Sequence, residues 1–298
     1  MSTPLYAFMI AVLIMIYTLQ SFLSRRYSES YPGPEQMSSA VFTVVSGLVV
    51  TVVSFAVSGF VFTPSPWTLL LGVCNAIALF MYNTCMMKAS TTGPYSILMV
   101  FMIAGGIVIP TLVSVIGFGD KVSVWKALSI AVILFSVYLV SQKDEANNFT
   151  NKKVFLLSCI GLALFNGIYG SLLAVQQEVT GAADKEEMIA VTYFCAFLFA
   201  LIPLLKKNPK EGIAAFRQTK RSCIYLITSA IVVALAINLL TLLVAQGKSL
   251  TVLYTFDNAG VFLISVIFSC IFFKEKLSIK NIIGCITMCI ALVCVTLF

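Results

Sequence analysis

Ten apolar runs, each about twenty residues long, decide what this chain can fold into. They cover 4–23, 37–61, 66–88, 94–117, 124–142, 153–175, 187–205, 222–245, 249–273 and 279–298. A helix crossing a bilayer needs about 20 such residues. In hydrocarbon the backbone must satisfy its own hydrogen bonds, so only helices and closed barrels can span. Barrel strands alternate apolar and polar residues, which these runs do not do. The expectation is an all-α integral membrane protein.

Composition agrees. Hydrophobic residues make up 60% of the 298 positions, charged residues 10%, and mean hydropathy is +1.01. Soluble domains lie near 45–50% apolar and about 25% charged. The net charge of +7 sits in connections between runs, which is the pattern of membrane orientation and not of nucleic-acid binding. His is absent, which removes the commonest general base and metal ligand. The nine cysteines form no C-x-x-C and lie mostly within apolar runs, so they read as small packing residues. No metal site, cofactor or nucleotide-binding G-x-x-x-x-G-K-[ST] loop is expected. No cleavable signal is evident, and 4–23 reads as a retained first helix.

One acidic residue breaks the pattern. Asp257 falls mid-run, whereas every other Asp or Glu lies near a run's end or in a loop. A carboxylate at that depth costs about 3 kcal/mol on insertion scales unless it faces a cavity or a partner. Asp257 is therefore the leading candidate for a proton, sodium or cation site.

An internal repeat is visible at an offset of 155. Asn83 falls on Asn238, Ala104-Gly105 on Ala259-Gly260, and Lys121-Val122-Ser123-Val124 on Lys276-Leu277-Ser278-Ile279. Near an offset of 152, Ile16-Tyr17 falls on Ile168-Tyr169. Five helices per half force the halves to insert oppositely, with a site expected near the midplane. The expected organisation is 1–142, a linker 143–152, and 153–298.

Of the 19 Lys and Arg, Lys121, Lys126, Lys185 and Lys248 follow even-numbered helices and the other 15 follow odd-numbered ones. The positive-inside rule then places both termini outside the cytoplasm.

Gly93-Pro94-Tyr95 through Ser141, and the second copy from Lys248 to Phe298, carry a family resemblance. Each half ends in a helix, a short turn with an acidic residue (Asp120, Glu275) and a last helix with a small residue about nine positions on (Ser129, Gly284). The chain resembles the drug/metabolite transporter superfamily, and its EamA-type branch in particular. That resemblance implies ten helices as two inverted five-helix repeats around a central cavity. Helices five and ten would pack the halves together, and Ser129, Ser136, Gly284 and Ala291 suit that contact.

Candidate substrate or ion contacts are Asp257, its neighbour Asn258, the repeat mates Asn83 and Asn238, and the same-face pairs Asn166 with Tyr169 and Tyr17 with Gln20. For Asn83 and Asn238, bonding across the pseudo-axis is the alternative to substrate contact, and Tyr17 and Gln20 also suit the membrane interface. Tyr82, Phe101 and Tyr254 could add aromatic faces, which beside a carboxylate suit an organic cation. Gly105, Gly106 and Pro110 form a candidate hinge, with a static kink as the alternative.

The expected function is a permease, not an enzyme. It would move a small polar or amphipathic metabolite by alternating access, with proton or sodium coupling through Asp257 and export favoured over import. Its partners would be that solute and membrane lipid, with no nucleic acid, as a monomer or homodimer. A receptor or assembly protein, and less so a lipid-modifying enzyme, are the competing classes. A reporter fused after Phe298 should be active outside the cytoplasm; cytoplasmic activity would reverse the orientation.

Overall fold

The computed structural model describes residues 3–119, 123–141, 149–180, 184–206, 214–244 and 250–297. Among these the chain is helical, with no strand. The helices are α1 (Thr3–Ser30), α2 (Glu35–Val57), α3 (Pro66–Thr92), α4 (Tyr95–Phe118), α5 (Val124–Ser141), α6 (Lys152–Thr180), α7 (Lys185–Lys206), α8 (Lys220–Val244), α9 (Leu250–Phe272) and α10 (Ile279–Leu297). Seven are long and apolar enough to cross a membrane: α1 to α4 and α6 to α8. The described parts of α5, α9 and α10 are shorter apolar helices, Val124–Val140, Asp257–Phe272 and Ile279–Cys294. Large apolar side chains such as Phe8, Val52, Ile116, Leu157 and Ile286 are exposed on outer faces, as lipid contact requires.

Several helices outrun their apolar stretch. α1 continues to Ser30, so Arg25 and Arg26 are helical and not in a loop. Arg25 Nε donates to Glu29 Oε1 one turn on, at 2.8 Å, an i,i+4 pair that supports the extra turn. Local signals set other ends. Ser65 caps α3 by accepting from the Thr68 N–H at 3.2 Å, and Pro66 opens the helix.

α4 and α9 end alike. Gly119 takes a left-handed conformation (φ 70°), with its N–H on the Ser114 carbonyl. After α9, Lys274 is left-handed (φ 53°), and the following Glu275 N–H bonds the Ser269 carbonyl at 3.1 Å. Glycine adopts this conformation freely; a lysine does so at some cost.

α3 packs on α6 and α7, α2 on α7 and α8, α1 on α8 and α9, α4 on α6 and α9, and α5 on α10. The α5–α10 contact holds the small residues singled out above. Ser136 Oγ meets Thr287 Oγ1 at 2.8 Å, Gly284 lies against Val140, and Ser129, Ser136 and Ala291 are buried. The largest apolar cluster joins the first half of α4 to parts of α3, α5, α6, α9 and α10.

α4 meets α6 at its closest where a Cβ on Gly105 would fall 2.1 Å from the Ala163 carbonyl oxygen. Pro110 lies inside α4, which stays helical through it. Gly105→Val should therefore force the two helices apart and cost about 1–3 kcal/mol or more. Gly117→Ala, where a Cβ meets nothing within 4 Å, should be close to neutral. Thermal unfolding of both variants in detergent checks this, and equal melting temperatures would refute it.

Candidate functional site

Polar side chains gather between α1, α3, α4, α6 and α7. Tyr82 of α3 donates from its hydroxyl to Met102 Sδ at 3.3 Å, and Asn166 of α6 donates from Nδ2 to the Met102 carbonyl at 2.8 Å. Tyr193 of α7 lies within hydrogen-bonding reach of Tyr169 and close to Tyr17 and Tyr82. The structure thus brings Tyr17, Tyr82, Asn166 and Tyr169 together. It adds Tyr193, which sequence reasoning missed because one tyrosine among eleven carries no spacing signal.

Other expected residues stand elsewhere. Asn83 donates from Nδ2 to Thr43 Oγ1 on α2 at 3.0 Å. Asn238 donates to the Ala234 carbonyl of its own helix at 2.8 Å. The repeat mates therefore have partners, and they do not bond each other. Phe101 is buried in the large apolar cluster. Gln20 is half-buried, and its Oε1 finds no partner among the described residues. Asn258 sits half-buried on α9. The side chain of Tyr254 lies outside the described residues, as does Asp120.

Asp257 is 8% exposed, and its Oδ1 has no hydrogen-bond partner among the described residues. Asp257 and Arg25 are the buried charged residues among those described. Further orphans among the described residues were not foreseen. Asn75 of α3 is fully buried with neither amide atom bonded, and the Thr192 hydroxyl of α7 is likewise unpartnered. Burying a polar group without a partner costs free energy, so such atoms mark places where water or a solute completes the structure. Of two surface clefts, of about 390 and 400 Å³, the first is lined by Arg25, and neither is lined by Asp257, Asn75 or Thr192.

Two carboxylates clamp helix N-termini. Glu275 accepts from the Tyr95 N–H, from the Ser96 N–H at 3.1 Å and from Ser96 Oγ at 2.9 Å. It also accepts from Arg25 Nη1 at 3.0 Å. The Arg25 guanidinium lies 4.1 Å from the Phe273 ring centre, and Arg26 lies 4.6 Å from the same ring. Arg26 Nη2 also donates to the Phe272 carbonyl at 2.9 Å.

Asp184 Oδ2 accepts from the Ser65 N–H at 2.8 Å and from Thr68 Oγ1 at 3.0 Å, before the first turn of α3. Gln176 Nε2 reaches Thr68 Oγ1 and the Asp184 carbonyl, both at 3.3 Å. The Ser65 N–H holds the Asp184 carboxyl below the usual carboxylate range.

With this geometry in view, a model of the UAA transporter family matches residues 2–297. Proteins of that family are multi-pass membrane transporters and not enzymes. The chain belongs to the UAA transporter family, part of the drug/metabolite transporter superfamily. The superfamily expected from the turns at Asp120 and Glu275 is the right one, and the match names UAA where the sequence suggested the EamA-type branch. No significant match was found among curated proteins. Among 25 significantly similar solved chains is one described as "Crystal structure of protein". It has 10% identity and a TM-score of 0.67, and the alignment covers 99% of this chain and 98% of that one, a likeness of fold alone.

A depressed carboxyl contributes stability above its unfolded pKa and loses it as pH falls through the folded value. Asp184→Ala should therefore lower the melting temperature at neutral pH. Its deficit should shrink as pH drops below the carboxylate range. A pH-independent deficit would show that Asp184 acts through shape alone.

Proposed function

We propose that the chain is a secondary transporter of nucleotide-sugar type, working by alternating access between two inverted five-helix halves, 1–142 and 153–298, joined by 143–152. All ten helices would span. α5 and α10, with 18 and 19 residues, would measure about 27–29 Å, close to the ~30 Å hydrocarbon layer.

The pattern of helix contacts is the observation that carries this reading. Exchanging helix n for n+5 turns α3–α6 into α8–α1, α4–α6 into α9–α1, and α3–α7 into α8–α2. The pairs α2–α7, α4–α9 and α5–α10 map onto themselves. All of these pairs pack. The left-handed residues Gly119 and Lys274 stand 155 apart, as do the carbonyls of Ser114 and Ser269 that the two turns use. An inverted repeat favours a site between the halves.

The family supports the substrate type. The tyrosines at 17, 82, 169 and 193 and the Asn166 amide offer ring faces and hydrogen bonds suited to a base and to sugar hydroxyls. Asp257, buried with an unpartnered oxygen, supports a coupling role for a proton or sodium. Helix α4 would bend near Gly105, Gly106 and Pro110 during the cycle. The expected direction is export.

Counterflow into proteoliposomes with radiolabelled UDP- and GDP-sugars, alongside amino acids, amines and nucleosides, tests the substrate type. Exchange of only the latter classes would replace the nucleotide-sugar reading. Asp257→Asn should insert normally yet lose at least tenfold in gradient-driven accumulation. Undiminished accumulation with the same pH and sodium dependence would remove Asp257 from the mechanism.

A further inference from the structure

The charge cluster around Arg25 belongs to no substrate wall, yet it bridges three elements: α1 through Arg25, the α9–α10 turn through Glu275, and the first turn of α4 through Tyr95 and Ser96. We propose that the Arg25–Glu275 pair is a releasable gate, and that its parting opens this end of the transporter during the cycle. The proposal rests on the alternating-access reading above.

Three observations carry it. The first is that each partner stays satisfied when the pair separates. Glu275 keeps the Tyr95 and Ser96 donors and the positive end of α4. Arg25 keeps Glu29 on its own helix, at 2.8 Å, and travels with it. A buried ion pair is normally hard to break because it strands an uncompensated charge. Here neither charge is stranded: separation loses the 3.0 Å bond and the ring contacts of Arg25 with Phe273 and Tyr95, and moving α1 off the turn also gives up the Arg26 bond to the Phe272 carbonyl and its contact with Phe273.

The second is that the pair stands at the sealed end. From Tyr95 to Gly105 α4 is buried except at Met102, whereas every described residue from Gly106 to Gly117 is half-buried or exposed. Phe22 packs on Phe272 and Phe273, and Phe273 on Tyr95, with ring centres 5.1–5.5 Å apart, closing the space beneath the guanidinium groups.

The third is that water reaches the outer side of the pair. A cleft of about 390 Å³ opens there, lined by Arg25, Glu29, Ser28, Ser90 and Thr150, and the buried Ser90 hydroxyl on it has no partner among the described residues. The pair thus divides a wet vestibule from a packed interior. By sequence, position 177 in the second half, which matches Arg25, is Gln, and position 120, which matches Glu275, is Asp, so this pairing of residue types is not repeated.

The test needs no substrate. Ser21→Cys places a near-isosteric thiol one turn inward of Arg25, at a position 5% exposed. In sealed vesicles, an impermeant maleimide is added from the Arg25 side. Modification is read peptide by peptide by mass spectrometry, with the native cysteines as internal references. Arg25→Gln or Glu275→Gln should raise the labelling rate at position 21 at least tenfold, and Arg25→Lys, which keeps a cation, should label more slowly than Arg25→Gln. Unchanged labelling in the Gln variants, or Arg25→Lys labelling as fast as Arg25→Gln, would overturn the gate. Should Arg25→Gln fail to insert, Arg25→Lys takes its place, with labelling between wild type and Glu275→Gln expected and a wild-type rate refuting. Labelling is independent of transport, so a failed counterflow assay would strike the substrate reading and leave this result standing.

Discussion

The chain's architecture depends on one solvent constraint: hydrocarbon offers no hydrogen bonds. Each backbone amide and carbonyl in the apolar runs must find its partner within its own helix. The hydroxyls obey the same rule. Thr18, Thr43, Ser46, Thr51, Thr84, Thr111 and Ser171 all donate to the carbonyl four residues back. Polar atoms that follow the rule are silenced, and the ones that break it become conspicuous. Asp257, Asn75 and Thr192 stand out because their surroundings do not answer them.

The same constraint sorts the charges. Arg25, Glu29, Glu275 and Asp184 all lie near helix ends, where amide donors and water are within reach. Glu275 and Asp184, both from the second half of the chain, clamp the N-termini of first-half helices α4 and α3. These two clasps tie first-half to second-half segments at different places and by different chemistry: one includes a guanidinium, the other the Gln176 amide and the Thr68 hydroxyl.

Much of this was legible in the chain before any coordinates. Hydropathy marks the runs, because twenty apolar residues have few other uses. The α5–α10 contact was implied by the family resemblance, and the small residues spaced seven apart on each helix fit it. Helix ends were less legible. α1 continues past its apolar stretch because Glu29 answers Arg25, and a window average reads such a pair as loop. The cluster at Arg25 was hidden because its partner is 250 residues away. The twin asparagines looked like one unit, but Thr43 takes the first and a local carbonyl takes the second. No pattern in the letters distinguishes those outcomes, since they depend on which neighbour a packed helix presents.

The turn after α9 has a consequence of its own. Lys274 holds a backbone shape that its glycine counterpart at 119 adopts at ease. The discomfort buys direction, sending Phe273 under two guanidinium groups and turning Glu275 back toward α4. On the inverted-repeat reading proposed above, the second half keeps at this turn an anchor for α1 and α4, whose loosening would set the threshold for passage at that face.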